Sequence, residues 1–211
     1  MKGKLISFES GEGAGKGTQI KLLKEYLQKK GIDVMTTREP GGIAIAETLR
    51  EELIRPDKNH APEGELLLLS TARYLHALYK IKPALEKGRI VITDRLHDST
   101  TAYQGYAGGI NIDFIKKIHK VALGAIIPDL TIFIDVAPKI GLKKMTTTEF
   151  GEPDRFEVKG LAFHTKVRQG YLELARQEPD RIKVIKYRDG DIEGMQKEIR
   201  DYVDKLLEIK E

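Results

Sequence analysis

Residues 7–19, SFESGEGAGKGTQ, follow an apolar run and lead into an amphipathic stretch, and their reading decides the fold. The spacing approaches G-x-x-x-x-G-K-[ST], the pattern of a loop that cradles phosphates between a strand and a helix. Gly15 and Lys16 hold their places, whereas Ser10 stands where the first glycine belongs and Gly17 where a hydroxyl residue belongs, with Thr18 one step on. Gly11, Gly13 and Gly15 still permit a tight curl. In such a loop the amides of Gly11, Glu12, Gly13, Ala14, Gly15, Lys16, Gly17 and Thr18 point at a phosphate. The positive end of the following helix and the Lys16 ammonium add to the attraction. A glycine-rich turn with a chance lysine is the competing reading, and the strand–loop–helix context argues against it.

Outward from this loop, apolar runs rich in β-branched residues alternate with helical periodicity. KLISF (4–8), DVMTT (33–37), RIVITD (89–94), LTIFIDV (130–136) and RIKVIKY (181–187) predict five strands. Between them, Ile20, Leu23 and Leu27 share a helical face that Gly31 terminates. Helices are also predicted over 62–80, with Pro83 interrupting the continuation, and over 111–123, 159–177 and 191–208. Such alternation predicts an α/β fold: a five-stranded parallel sheet with helices on both faces. No repeat or linker divides the 211 residues, so a single domain over 1–211 is expected.

Bulk properties exclude several classes. Zero cysteines rule out disulfides, thiolate metal sites and a cysteine nucleophile. The net charge of +4 is modest and scattered, which gives no argument for a nucleic-acid partner. No apolar run reaches the length of a membrane span and MKGKLISFES lacks a signal-peptide core, so no membrane partner and a cytoplasmic location are expected. Two stretches resist the alternating pattern. TTTEFGEPDRFE (146–157) is either a solvated connection or a lid, of about 143–158, that closes over a ligand. In DRLHDSTTAYQGYAGG (94–109) a strand end runs straight into polar and aromatic residues, and the carboxyl ends of parallel strands are where ligands bind.

GAGKGTQ carries the glycine after the lysine that adenylate kinases also have, so Gly17 is compatible with phosphoryl transfer. Beyond the loop, REPGG (38–42), LLLLSTARYLH (66–76), DRLHDSTTAYQG (94–105), PDLTIFIDV (128–136) and DRFE (154–157) occur in order. Together they resemble bacterial thymidylate kinases, members of the nucleoside monophosphate kinase family of P-loop proteins. The resemblance implies ATP + dTMP → ADP + dTDP, with ATP as phosphate donor, Mg²⁺ as cofactor and a homodimer as the assembly. An acceptor phosphate has a second pKa of about 6. Its attacking oxygen needs no general base, and the task is to hold repelling anions in line.

The resemblance also implies roles. Lys16 and the loop amides hold the donor phosphates, and Arg95 clamps the acceptor phosphate through its planar fork. Asp94 orients Mg²⁺ through water, with capping or an arginine pairing as its competing use. Arg38 lies near the acceptor phosphate, although a structural ion pair competes for it. Glu12 reaches the acceptor's 3′-hydroxyl. Arg73 bonds the thymine carbonyl, while Leu69, one turn earlier on the same helix face, gives aliphatic contact where the family has an aromatic. Ser99, Tyr103 and Gln104 occupy the base- and sugar-reading positions, the Tyr103 ring leaving no room for a 2′-hydroxyl. In the lid, Arg155 or one of Lys143 and Lys144 reaches the transferring phosphates. The five histidines show no metal-ligand spacing, and His76 is expected to be structural. Two other functions compete. Leu69 and GKGTQ allow a broader or different monophosphate kinase, and Ser10, Gly17 and the arginine-poor lid allow a non-catalytic nucleotide-binding regulator.

Overall fold

Five β-branched runs pair side by side: the three central ones are largely apolar on both faces and can be buried only within a covered sheet, while the two edge runs carry polar residues and are only partly buried. They become β1 (Lys4–Ser10), β2 (Val34–Arg38), β3 (Ile90–Asp94), β4 (Leu130–Asp135) and β5 (Ile182–Lys186). All pairings are parallel, in the order β2-β3-β1-β4-β5. The structure, a computed structural model, describes residues 3–55, 57, 60–147, 155–156 and 158–209. Much of the expected lid, 148–154 with 157, lies outside the described residues.

Nine α-helices among the described residues cover the sheet: α1 (Lys16–Lys29), α2 (Ala44–Ile54), α3 (Pro62–His76), α4 (Lys82–Glu86), α5 (His97–Thr100), α6 (Ile112–Leu123), α7 (Pro138–Thr147), α8 (Leu161–Gln177) and α9 (Ile192–Leu207). On one side Leu23 and Leu27 of α1 and Ile199 and Val203 of α9 pack on Ile6, Phe8, Ile92 and Ile132. On the other, Leu5, Val91 and Leu96 meet Ala77, Ile81 and Leu123, while Phe133 meets Val167 and Tyr171 of α8. Full burial of each Leu, Ile, Val or Phe among them contributes about 1.5–3 kcal/mol. Caps mark two predicted helix starts: the Asn111 side chain accepts from Phe114 N–H at 3.0 Å, and Asp191 accepts from Gly194 N–H at 2.9 Å.

Three details depart from expectation. The helix over 62–80 does not stop before Pro83. It widens into a π-helical segment, Ala77–Ile81, and continues as α4, the wider turn making room for Pro83, which can donate no N–H to the preceding turn. The strand-end stretch after Asp94 winds into α5 and a second π-helical segment, Thr101–Ala107. Helix α2 has no counterpart in the sequence reading, although it buries Ala46 and Leu53.

Register then positions the chemistry. Phe8 lies level with Asp94 and Ile132, and Arg38 also pairs with Asp94, so the carboxyl ends of β1, β2 and β3 open on one crevice.

Candidate active site

Helix α1 begins directly out of the glycine loop, with Gly15 at its N-cap in the left-handed region at φ 72°. Gly13 is also left-handed, at φ 68°, and a Cβ there would stand 2.3 Å from the Gly141 carbonyl oxygen of α7. Both the curl and the contact exclude a side chain. Lys16, in the first turn, extends to the Asp94 carboxylate at the end of β3 and pairs with it.

Arg95 follows Asp94 at φ 68°, a conformation that costs a non-glycine residue of order 1–3 kcal/mol. Its backbone is held there by Arg95 N–H donating to the Phe8 carbonyl at 2.9 Å and Thr93 Oγ1 donating to the Arg95 carbonyl at 2.8 Å. The turn throws the guanidinium across the end of β1. Nη1 donates to the Ser10 carbonyl at 2.9 Å and to the Ser99 and Tyr171 hydroxyls at 3.2 Å each; Nη2 donates to Glu12 at 3.1 Å. Tyr103 lies 5.1 Å beneath the guanidinium and donates its hydroxyl to the same Glu12 oxygen.

Three buried carboxylates hold this frame. Glu9, on β1, accepts from Leu96 N–H at 2.8 Å, Ser7 at 2.9 Å, Ser99 at 2.5 Å and Tyr171 at 3.0 Å. Glu39 accepts from Arg73 Nε at 2.6 Å and lies 3.0 Å from His76 Nδ1, whose Nε2 meets Thr37 at 2.7 Å. His76 is accordingly a buried framework residue. Arg73 Nη2 reaches the Leu96 carbonyl at 3.1 Å, while Nη1 is buried with no partner among the described residues. Glu65, on α3, accepts from the Gln104 amide at 2.6 Å and pairs with Arg155.

Electrostatics follow from crowding. Burial pushes Glu12 upward, but Arg95, the Tyr103 hydroxyl and Lys16 outweigh it and hold the carboxyl below its ordinary range. Asp94 is likewise held low against burial by Lys16 and Arg95. Lys16 is lowered by burial and by Arg95, with Asp94 opposing. Glu9 is pushed up to about 7 by burial and by neighbouring Asp98. Burial lifts the Tyr103 and Tyr171 hydroxyls well above their ordinary value.

A cleft of about 280 Å³ opens among these groups. It brings together Glu12, Lys16, Arg38, Leu69, Arg73, Asp94, Arg95, Ser99, Tyr103 and Gln104, all site residues expected from the sequence. Arg38 lines it while pairing with Glu47 at 2.9 Å, so the competing ion pair is present as well. Arg155 is not brought to the Lys16 loop. Its buried guanidinium is committed to Glu65 and, at 3.2 Å, to the Leu53 carbonyl, and the ion pair with Glu65 fixes it there. Lys144 is engaged by Asp189 and Tyr187. The side chains of Thr146, Thr147 and Thr148 lie outside the described residues. Sequence reasoning did not single out Glu9, Glu39, Glu65, Tyr171, Arg50 or Phe156. For Glu9 a signal existed, an acid inside an apolar strand. Among the described residues no group of three or more His, Cys, Asp or Glu side chains is arranged to hold a metal ion.

Comparison with known proteins bears on this site. A family model described as thymidylate kinase matches residues 8–199. The thymidylate kinase of Geobacillus sp. (strain WCH70) is 46% identical over 187 residues, 88% of this chain and 89% of that protein. That of Thermoanaerobacter sp. (strain X514) is 44% identical over 211 residues, covering 98% of this chain and 100% of that protein. The crystal structure of thymidylate kinase from Ehrlichia chaffeensis superposes with a TM-score of 0.78 at 31% identity, covering 97% of this chain and 99% of that one.

Proposed function

The chain belongs to the thymidylate kinase family, and from that premise we propose how its residues transfer the γ-phosphate of ATP to dTMP. The observation that carries the reading is the placement of Arg95, turned at positive φ so that its fork lies beside Glu12 and the Lys16–Asp94 pair. The acceptor phosphate is already largely ionised, so no residue need remove a proton; the work is alignment and charge compensation. Lys16 and the amides of 11–18 hold the donor phosphates, and Arg95, with Arg38 nearby, holds the acceptor phosphate. Glu12 uses one oxygen for Tyr103 and Arg95, which leaves the other for the sugar 3′-hydroxyl. Tyr103, pinned by Glu12, fills the space a 2′-hydroxyl would need.

The donor set fits a magnesium ion bound chiefly by phosphate oxygens and water. Asp94 is a hard oxygen ligand beside Lys16, while Gly17 offers no hydroxyl. When bound, the ion would neutralise charge on the phosphate oxygens, Asp94 would hold it through water, and Lys16 would contact the donor phosphates.

Leu69 favours testing base choice, since it lines the cleft where an aromatic would stack. ADP release is measured with dTMP, dUMP, dCMP, dGMP and AMP as acceptors. The highest kcat/KM is expected for dTMP. Preference for another acceptor overturns the thymidylate assignment, and tight binding of ATP and dTMP without turnover would make the chain a regulator.

The working unit we propose is a homodimer. It is supported by half-exposed Leu67, Tyr74 and Leu78, spaced along α3 and its π-helical extension, and by Phe114 and Val121 on adjoining α6. No helix among the described residues is long and apolar enough to cross a membrane, and the cytoplasm is the proposed site of action.

A further inference from the structure

Gln104 faces the cleft with an amide that could read a base in either of two opposite senses. Its oxygen accepts hydrogen bonds and its nitrogen donates them. Which end meets the ligand is decided behind it. Gln104 Nε2 donates to Glu65 Oε1 at 2.6 Å, and a carboxylate can only accept. Glu65 is in turn held on its other oxygen by Arg155 Nη2. Arg155 is itself fixed by the Leu53 carbonyl at 3.2 Å and lies 4.9 Å from the Phe156 ring, which lines the cleft. All three polar side chains are more than nine-tenths buried, so water does not compete for these bonds. With its nitrogen committed, Gln104 turns its oxygen to the cleft. Arg73 lines the same cleft, and its Nη1 is a buried donor with no partner among the described residues.

We propose that the Arg155–Glu65 pair is a specificity-determining relay that sets the polarity of Gln104, so that the cleft shows a base one donor and one acceptor. The proposal rests on the thymidylate kinase reading and names the discrimination it produces. Thymine and uracil carry a carbonyl at position 4 and an N–H at position 3, which match an arginine donor and an amide acceptor. Cytosine carries an amino group and a bare ring nitrogen there, and opposes both. A buried polar group left facing its own kind incurs its full desolvation penalty, which is why such pairs discriminate strongly. Arg155 and Glu65 touch no substrate in this scheme; they are positioning residues.

The geometry makes an unusual variant informative. In Glu65→Gln, Arg155 still requires an oxygen, so the new amide must turn its nitrogen toward Gln104. Gln104 must then accept, which rotates its own nitrogen into the cleft. The variant is expected to lower kcat/KM for dTMP by roughly tenfold or more. It should reduce the dTMP-to-dCMP ratio of kcat/KM by a similar factor, because only cytosine gains a partner. Removing Arg155 as well, in Glu65→Gln with Arg155→Met, frees the new amide to turn back and should recover part of that ratio. A merely structural pair would lower activity on both acceptors alike and would show no recovery.

The test measures kcat/KM for dTMP and dCMP in the unaltered chain, E65Q, R155M and the double variant, with thermal melts of each. An unchanged ratio in a folded E65Q overturns the relay. Should E65Q fail to fold, Glu65→Met combined with Arg155→Met, which removes both charges together, decides: without the carboxylate the Gln104 amide turns either way, so about a threefold or larger fall in the ratio supports the relay, and an unchanged ratio overturns it. If the unaltered chain does not prefer dTMP to dCMP, the thymidylate assignment falls and the relay with it, an outcome distinct from the others because it needs no variant.

Discussion

Arg95 concentrates the chemistry at the residue scale, since one strained backbone angle aims one guanidinium at four oxygen-bearing partners rather than at solvent. Arg95→Ala should reduce kcat by about a hundredfold or more, the scale of losing a preorganised charge in an enclosed site. ATP affinity should remain close to that of the unaltered chain, because the donor loop keeps Lys16 and its amides. Steady-state kinetics and calorimetric ATP titration separate the two effects. Glu9 behaves differently. Burial and Asp98 raise its carboxyl from 4.5 to about 7, so between these pH values the folded chain holds a proton that the unfolded chain has released. Its contribution to stability is therefore full below about pH 4.5, declines as pH rises through 7 and is gone above it. Denaturant unfolding of the unaltered chain and of Glu9→Gln from pH 5 to 8 should differ in slope. The unaltered chain should lose up to a few kcal/mol relative to the variant across that range. Equal slopes would remove Glu9 from the account.

Among elements, the glycine loop and α7 meet most closely. Gly13→Ala places a methyl group against the Gly141 carbonyl in a backbone region alanine disfavours. A loss of stability of about 1–3 kcal/mol and a marked loss of ATP binding are expected, read from melting and calorimetry. The strands and most helices were legible because each carries its own period: β-branched runs for the sheet, and Leu23 and Leu27 one turn apart for α1. The loop was legible because its chemistry is contiguous. Arg73, Ser99, Tyr103 and Gln104 were reached only through ordered motifs. Glu9, Glu39, Glu65 and Tyr171 were not reached, since they act through partners distant in the chain and no local spacing reveals that. For Arg155 the resemblance implied a phosphate contact shared as an alternative with Lys143 and Lys144, and the structure adds a partner no local spacing reveals: Glu65, ninety positions earlier. Helix α2 was readable from Ala46 and Leu53, seven apart on one face, and its short segment between two glycines and a proline obscured it.

At the scale of the whole molecule, the half-exposed apolar stripe of Leu67, Tyr74 and Leu78 sets an expectation for assembly. Leu67→Glu should shift the species seen by size-exclusion chromatography with light scattering from dimer to monomer. Its single-site ATP affinity should be nearly unchanged, since Leu67 is outside the cleft. An unaltered chain that elutes as a monomer would refute the dimer. The strand order has a consequence for how the chain is made. β1 emerges from the ribosome first yet is central in the sheet, and its two neighbours, β3 and β4, are synthesised much later. At about 5–20 residues per second, its bare edges wait several seconds for the nearer of them. During that interval the nascent chain carries the glycine loop and α1 with no sheet to rest on. A nascent segment with both flanks of an apolar strand exposed is a natural client for holdase chaperones. Rapid translation through residues 90–135 would shorten its exposure.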